Sequence, residues 1–308
     1  MMRGVSKAAM SVRTKDDTIE TIEWELKPNA WYRKIPFIRG VFNFVIQMSD
    51  GFKYITKSAE MSGMTDDDEE EELTKFEQWL TDKLGDKLTD IIMGLGMILG
   101  MGFAVLLFMF VPTWGYTAFS SLFDSDVSAY RSLFEGILKI ILFVLYLWAT
   151  SLMKDIRRTY EYHGAEHKTI FAYESGEELT IENVKKQKRF HPRCGTSFVF
   201  LVLAISILFY SLVPINSEVL ASVFQLGSFA ADALRVLLKI LLIPVLVGIT
   251  YEIIRLAGRY DNVFTRVISA PGLLLQRLTT REPDDKQIEV ALAALAPVIP
   301  TTKGTDKW

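Results

Sequence analysis

A run of 21 residues without a charged side chain, at positions 91–111, constrains this chain more than any other feature of its sequence. The run reads IIMGLGMILGMGFAVLLFMFV. At about 1.5 Å per residue, a helix of this length crosses the hydrocarbon layer of a bilayer, which is about 30 Å thick. A signal peptide occupies an N-terminal position, so the place of this run excludes one. The sequence therefore predicts a membrane-spanning helix here.

Three further apolar segments are long enough to span a membrane, at residues 133–153, 198–213 and 234–254. The last of them is the weakest, because Lys239 and Pro244 interrupt it. A proline is tolerated in a membrane helix when neighbouring groups satisfy the freed carbonyl. Half of the chain is hydrophobic. The predicted fold class is therefore mainly α, a polytopic membrane protein with four transmembrane helices.

A few charged residues fall within these spans. Glu135 and Lys139 lie near the start of the second span, and their i,i+4 spacing would allow them to form an ion pair. Lys139 and Lys239 are both interpreted as lying toward the outer ends of their spans. Their ammonium groups are therefore expected to reach the interface by snorkelling rather than to line a pathway.

Lysine and arginine are distributed unevenly among the segments that connect the spans. Residues 154–195 contain nine of them and residues 255–308 contain eight. Residues 112–132 contain only Arg131, and residues 214–233 contain none. Because cytoplasmic loops carry the excess of basic residues, we expect a multi-pass protein of the cell membrane with both termini in the cytoplasm.

Polar segments alternate with the pairs of spans, and their patterns differ enough to be separated. The expected segments are a β-hairpin element at 1–34, an interfacial amphipathic helix at 35–63, an acidic linker and lead-in helix at 64–88, transmembrane helices 1 and 2 at 89–153, a cytoplasmic loop at 154–196, transmembrane helices 3 and 4 at 197–254, and cytoplasmic C-terminal helices at 255–308. Alternating apolar residues around the turn signal KDD predict the hairpin. The helix at 35–63 either lies on the membrane surface or docks on the soluble domain.

The C-terminal segment is expected to form two short amphipathic helices. Pro271 is expected to start the first helix, and Asp284 or Asp285 can cap the second. The apolar side of the second helix consists of Ile288, Val290, Leu292 and Leu295. This side needs a partner, for which the loop at 154–195 and the membrane surface are the candidates.

All three histidines and the single cysteine of the chain lie within 32 residues of the predicted cytoplasmic loop. His163 and His167 are four residues apart, which places both imidazoles on one helix face. With Glu166 they form H-x-x-E-H, the pattern of inverted zinc-peptidase motifs in which the glutamate is the general base. His191 and Cys194 form H-x-x-C. Four nitrogen and sulfur donors suit zinc, and another divalent metal would also be compatible.

Two arrangements of ligands around the metal are compatible with these residues. If all four residues bind the metal, the site is closed and structural, with Glu166 outside the coordination sphere. If Cys194 is not a ligand, three histidines and a water molecule form an open site, with Glu166 as the base of a hydrolytic reaction. Gly164 weakens the helix that carries the motif by about 1 kcal/mol relative to alanine.

Two other sequence patterns are explained more simply by helix packing and by membrane orientation than by a functional site. Gly96 and Gly100 form G-x-x-x-G in the first span, for which packing inside the bundle is favoured over a homo-oligomer contact. The basic run KKQKRFHPR is interpreted chiefly as a determinant of orientation. The expected partners are thus the lipid bilayer and an anionic lipid or small-molecule substrate, and no nucleic acid is expected.

These motifs resemble those of the YqhQ-like family of bacterial membrane proteins, which is catalogued under unknown function. The resemblance rests on MMRG, YHGAEHKTIFAYE, LTIENV, FHPRCGTSF, YEIIRLAGR and PGLLLQRLTTREPDD, and it covers most of the chain. It implies a metal-dependent enzyme of unassigned substrate. The site residues that it implies are His163, Glu166, His167, His191 and Cys194. Family members usually carry a Gly-rich stretch before M-M-R-G, so whether the N-terminus extends upstream of Met1 stays open.

Two functions from different classes are compatible with these features. The first is an integral membrane, zinc-dependent hydrolase that acts at the cytoplasmic membrane surface, with Glu166 activating water. The alternative is a membrane scaffold or small transporter with a purely structural metal. An open position on the metal favours the first function, and four protein ligands favour the second.

Overall fold

The computed structural model describes residues 1–26, 31–63, 87–123, 130–191, 194–213, 215–260 and 262–300. These residues are mostly helical, with a small antiparallel sheet near the N-terminus. The fold class predicted from the sequence is therefore confirmed. The acidic run at 66–72 lies outside the described residues.

The elements are named here in chain order. The strands are β1 Met2–Arg3, β2 Lys7–Arg13 and β3 Ile19–Glu25. The helices are α1 Ile38–Met61, α2 Lys87–Val105, α3 Val111–Ser120, α4 Arg131–Thr150, α5 Lys154–Glu174, α6 Ile181–Lys186, α7 Gly195–Leu212, α8 Ser217–Phe224, α9 Ser228–Leu241, α10 Ile243–Arg259, α11 Val263–Thr279 and α12 Asp285–Leu295. A π-helical turn, Leu106–Phe110, joins α2 to α3.

The predicted hairpin is formed by β2 and β3, which pair antiparallel with Arg13 opposite Ile19. Asp17 in the connecting turn has φ 61°, a left-handed conformation that aspartate tolerates better than most residues. β1 pairs with the other edge of β2 and extends the hairpin to three strands. Sequence analysis missed β1, because two residues are too few to show an alternating pattern.

Four helical stretches are long and apolar enough to cross a membrane: Gly94–Ser120, Arg131–Thr150, Gly195–Leu212 and Ser228–Leu256. They correspond to the four predicted spans, with shifted ends. The first continues past residue 111, because the helix runs through the π-helical turn into α3. The fourth is divided into α9 and α10 at Pro244, which occupies the first turn of α10, where a missing N–H is tolerated.

The interpretation of Lys239 as a snorkelling residue is wrong. Lys239 is only 4% exposed, and its ammonium donates to Glu135 Oε2 at 2.7 Å. The predicted pairing of Glu135 with Lys139 is also wrong, because the partners of this carboxylate are Arg131, Arg235 and Lys239. The ion pairs join α4 to α9, which periodicity within one helix cannot reveal.

A hydrophobic core outside the candidate spans combines segments that are far apart in sequence. α12 packs on α5 and on β2. Ile288 of α12, Ala165 of α5 and Ala9 of β2 are fully buried in this core. Asp284 caps α12 through a capping box with Gln287, as the sequence indicated. Of the two candidate partners of the C-terminal helix, the 154–195 segment is therefore the one that α12 contacts.

The expectation that Pro271 starts a helix is wrong. α11 begins at Val263, where Asn262 and Thr265 form a capping box, and Pro271 lies within the helix. Next to it, Gly272 lies so close to α7 that a Cβ there would come within 2.6 Å of Ser197 Cβ. Close packing of α11 on α7 holds this proline-containing helix together.

α1 docks on α10, the C-terminal part of the fourth candidate span. Arg39 pairs with Glu252 of α10, and a Cβ on Gly40 would lie 2.5 Å from Tyr251 Cβ. By contrast, no described residue lies within 4 Å of a Cβ placed on Gly96 or Gly100. The expected packing of these glycines inside the bundle is therefore not found among the described residues.

Candidate metal centre

His163 and His167 are carried by α5, which is a separate helix. α4 ends at Thr150 and a turn precedes Lys154, so α5 is not a continuation of the second candidate span. The spacing of four residues nevertheless brings both imidazoles to one face of α5, with ring centroids 4.4 Å apart. α5 alone therefore positions His163 and His167, two of the four predicted ligands, next to each other.

Gly164, between the two histidines, allows the chain that leaves α11 to lie directly on α5. A Cβ at this position would be 2.0 Å from the carbonyl oxygen of Arg281. The Arg281 N–H donates to the carbonyl of Tyr160 at 2.8 Å. The contact that this glycine permits brings the carbonyl of Thr279 to 2.8 Å from His163 Nδ1.

Both imidazoles of α5 are oriented by backbone carbonyls. His163 Nδ1 donates to the carbonyl of Thr279 at 2.8 Å, and His167 Nδ1 donates to the carbonyl of Arg189 at 2.6 Å. A carbonyl oxygen only accepts, so each Nδ1 carries a proton, and each Nε2 is the ring nitrogen that can bind a metal once it is deprotonated. Metal-binding histidines are oriented in this way by a partner on the second ring nitrogen.

Cys194 completes the group from the residue that precedes α7. Its Sγ lies 3.3 Å from His163 Nε2, and the donor atoms of His163, His167 and Cys194 all lie within 4.8 Å of one another. Zinc bound tetrahedrally at about 2.0 Å from nitrogen and about 2.3 Å from sulfur would separate these two atoms by about 3.5 Å. The three donors therefore fit a metal of this size.

The histidines also control the protonation of the thiol. Burial raises the pKa of Cys194, but its hydrogen bonds to His163 and His167 outweigh burial and lower the pKa to about 5. Burial lowers the pKa of His163, whereas the bond to Cys194 reverses this and leaves it above its ordinary value. A thiolate at neutral pH is the form of cysteine that binds metals.

His191 and Glu166 lie outside this group of three. His191 Nε2 is 3.4 Å from Glu174 Oε2, and the His191 ring centroid is 5.7 Å from that of His167. Gln276 of α11 binds both the N–H and the carbonyl of His191 at 2.7 Å. Glu166 is half-buried on α5 and close enough to His163 for electrostatic interaction.

Several groups that position the site have no signal in the sequence. Two are the backbone carbonyls of Thr279 and Arg189, whose positions depend on tertiary packing alone. Another is Gln276, which is fully buried and links α11 to His191 and to Ser197. The one available hint was Gly164, since a glycine inside a helix often marks a close approach of another segment.

The fold and the site together define a mainly helical protein with four candidate membrane spans and a buried cluster of two histidines and a cysteine. The chain belongs to the family described as "Protein of unknown function (DUF1385)", whose model matches residues 35–301. It is 31% identical over 296 residues to "Uncharacterized protein YqhQ" of Bacillus subtilis (strain 168), covering 95% of this chain and 86% of that protein. No solved structure matches the chain. The resemblance inferred from the motifs is confirmed, and neither description assigns an activity.

Proposed function

We propose that the protein is a multi-pass membrane protein that binds a divalent metal, zinc, on its cytoplasmic side and hydrolyses a substrate at the membrane surface. The observation that carries this proposal is the convergence of one ring nitrogen of His163, one of His167 and Cys194 Sγ within 4.8 Å. Each of the two histidines is oriented by a backbone carbonyl that accepts a hydrogen bond from its Nδ1. Hydrogen bonding of that kind is typical of metal ligands rather than of surface histidines.

The number of protein donors favours a catalytic site over a structural one. Three protein ligands leave a coordination position for water or substrate, whereas structural zinc sites have four protein ligands. When bound, zinc would supply a Lewis acid and lower the pKa of a coordinated water molecule. Glu166 is the candidate general base that would accept a proton from the attacking water, because it follows His163 by one turn of α5.

The basic side chains around the site favour an anionic substrate. Lys185 and Arg189 lie in the segment whose Arg189 carbonyl accepts from His167 Nδ1, but they are paired with Asp285 and Glu282. Lys188 is exposed beside them, and Arg193 lies outside the described residues. These cations would raise the local concentration of an anionic group at the membrane surface.

The proposed orientation places α5, α6 and α12 in the cytoplasm, in accord with the excess of lysine and arginine in these segments. Alkaline phosphatase is active only outside the cytoplasm, so we expect an active fusion after Phe224 and an inactive fusion after Gly176. Green fluorescent protein fused at the same two positions serves as the matched control and should give the opposite result. Activity of the phosphatase after Gly176 would contradict the orientation.

Metal analysis of purified variants tests the site itself. We expect about one zinc per chain in the wild type and at least a tenfold loss of metal in His163→Ala and Cys194→Ser, because each removes a ligand. His191→Ala is the matched control and should retain the metal, since His191 lies outside the donor group. Glu166→Gln should also retain the metal. Wild-type protein that carries no metal, even after zinc is added back, would contradict the proposal.

A second function, a membrane scaffold or small transporter with a structural metal, is favoured by the burial of the donors. Cys194 is 7% exposed and His167 is 5% exposed, which leaves little room for a substrate. Metal analysis of the same variants distinguishes the two functions. If His191→Ala loses zinc as completely as His163→Ala, the site has four protein ligands and is structural.

A further inference from the structure

A second set of charged side chains, the intramembrane charge cluster, lies in the region of the candidate spans and takes no part in the metal site. The cluster consists of Arg131, Glu135, Lys139, Glu218, Asp232, Arg235 and Lys239. Glu135 is 2% exposed and Arg235 is 1% exposed. Charged residues at membrane depth are costly, and they mark functional sites more often than not.

Glu135 is the centre of the cluster. Its carboxylate accepts from both terminal nitrogens of Arg235, at 2.6 and 2.8 Å, and from Lys239 Nζ at 2.7 Å. Arg131 Nε donates to the same carboxylate at 3.1 Å. Three cations thus surround one anion, which leaves positive charge around it.

Two acids at one end of the cluster offset part of this charge. Arg131 also donates to Glu218 at 2.9 Å and to Asp232 at 3.3 Å. With these two carboxylates, three anions balance the three cations that surround Glu135. Lys139 then adds a fourth cation, so the cluster carries one net positive charge when all four of these basic side chains are protonated.

Lys139 differs from the other cations in having neither a hydrogen bond nor an ion pair within the described part of the chain. It is half-buried on α4, and the charged groups that reach it electrostatically are Glu135 and Arg235. Lys139 in turn acts on Lys239, another cation. Its ammonium therefore lies in a net positive environment.

The depth of Lys139 argues against neutralisation by the aqueous interface. It lies eight residues after Arg131, the first residue of α4, which is about 12 Å along a helix with a rise of about 1.5 Å per residue. The helix has 20 residues and is about 30 Å long. Lys139 is thus nearer to the middle of the span than to its end.

We propose that the intramembrane charge cluster is a binding site for an anion of about one negative charge, held beside Lys139. An anion would neutralise the excess charge and accept a hydrogen bond from the Lys139 ammonium, both of which are favoured in a medium of low dielectric constant. A small inorganic anion and the phosphodiester of a lipid share this chemistry. The site is separate from the metal centre and goes beyond the proposed hydrolase function.

Two binding measurements on the full chain distinguish a small inorganic anion from a lipid phosphodiester as the ligand. Equilibrium dialysis of detergent-purified, delipidated protein with radiolabelled chloride tests a small anion. Native mass spectrometry of protein extracted with its own lipids tests a lipid. We expect about one anion per chain in the wild type, at least tenfold weaker binding in Lys139→Gln, and retained binding in Lys139→Arg. Lys53→Gln removes an exposed lysine of α1 and should bind like the wild type.

The outcomes separate the proposal from its alternatives. Chloride binding that Lys139→Gln abolishes supports a site for a small anion. A co-purifying phospholipid that the same variant loses supports the site and assigns its ligand to the bilayer. Wild-type protein that binds neither overturns the proposal whether or not Lys139→Gln folds, and so does binding that Lys139→Gln leaves unchanged.

Discussion

Glu135→Gln is expected to lower the free energy of unfolding by about 3–5 kcal/mol, the range observed when one partner of a buried ion pair is removed. Glutamine would leave Arg235 and Lys239 without their counter-charge, in a region where these residues are 1% and 4% exposed. Both side chains are also among the partners that hold α9 against α4. We therefore expect the substitution to weaken the association of α9 with α4 as well as to lower the free energy of unfolding.

Unfolding of the detergent-solubilised protein by increasing sodium dodecyl sulfate would measure this loss. Glu218→Gln is the matched control, because Glu218 binds the same cluster through Arg131 but its side chain is 71% exposed. An exposed ion pair contributes about 0–1 kcal/mol, so this variant should remain close to the wild type. Equal effects of the two substitutions would mean that Glu135 does not hold the cluster together.

Gly164→Ala is expected to damage the candidate metal centre without changing any of the three proposed donors. The added methyl group would meet the carbonyl oxygen of Arg281 at 2.0 Å, and a backbone atom cannot turn aside as a side chain can. The segment after α11 must then move away from α5. This movement withdraws the Thr279 carbonyl from His163 Nδ1, so we expect zinc affinity to fall by about 10–100-fold, as for other losses of a group that orients a ligand.

Zinc affinity and thermal stability of the variant should be measured together. Overpacking of this kind costs about 1–3 kcal/mol or more. Gly51→Ala is the matched control, because Gly51 lies within α1 with nothing within 4 Å of an added Cβ. It should leave zinc affinity unchanged and stabilise α1 by up to about 1 kcal/mol. A Gly164→Ala protein with wild-type zinc affinity would show that the carbonyl of Thr279 does not orient His163.

The parts of the fold that sequence analysis predicted correctly are those that local patterns determine. Apolar length identified the four candidate spans, alternation around KDD identified the hairpin, and Asp284 marked the start of α12. Each of these signals lies within one element or at its end. No knowledge of neighbouring elements is needed to interpret them.

The errors concern contacts between elements. Lys239 was taken as an interfacial residue, although it meets Glu135 across two helices. Pro271 was taken as a helix start, because a proline at the first turn is the commoner arrangement, whereas the contacts of α11 with α7 retain the helix on both sides of it. Tertiary packing overrides local preference at both positions.

The candidate site was predicted in composition but not in detail. The crowding of His163, His167 and Cys194 in the sequence indicated three residues that the structure brings together, and their binding of a metal stays a prediction. His191 was assigned to the same set by its spacing from Cys194, while in the structure its Nε2 is directed toward Glu174. Sequence spacing restricts which residues can meet, but the direction of a side chain depends on the backbone that carries it.

The core shared by β2, α5 and α12 has a consequence for biosynthesis. Arg13 of β2 donates to Glu289 of α12 at 2.6 Å, although the ribosome makes these residues 276 positions apart. The strand is thus translated long before the helix that covers it, and the four candidate spans are made in the interval. The core that β2, α5 and α12 share can therefore form only after translation is nearly complete, so a nascent chain arrested before residue 285 would expose its N-terminal sheet to chaperones and proteases.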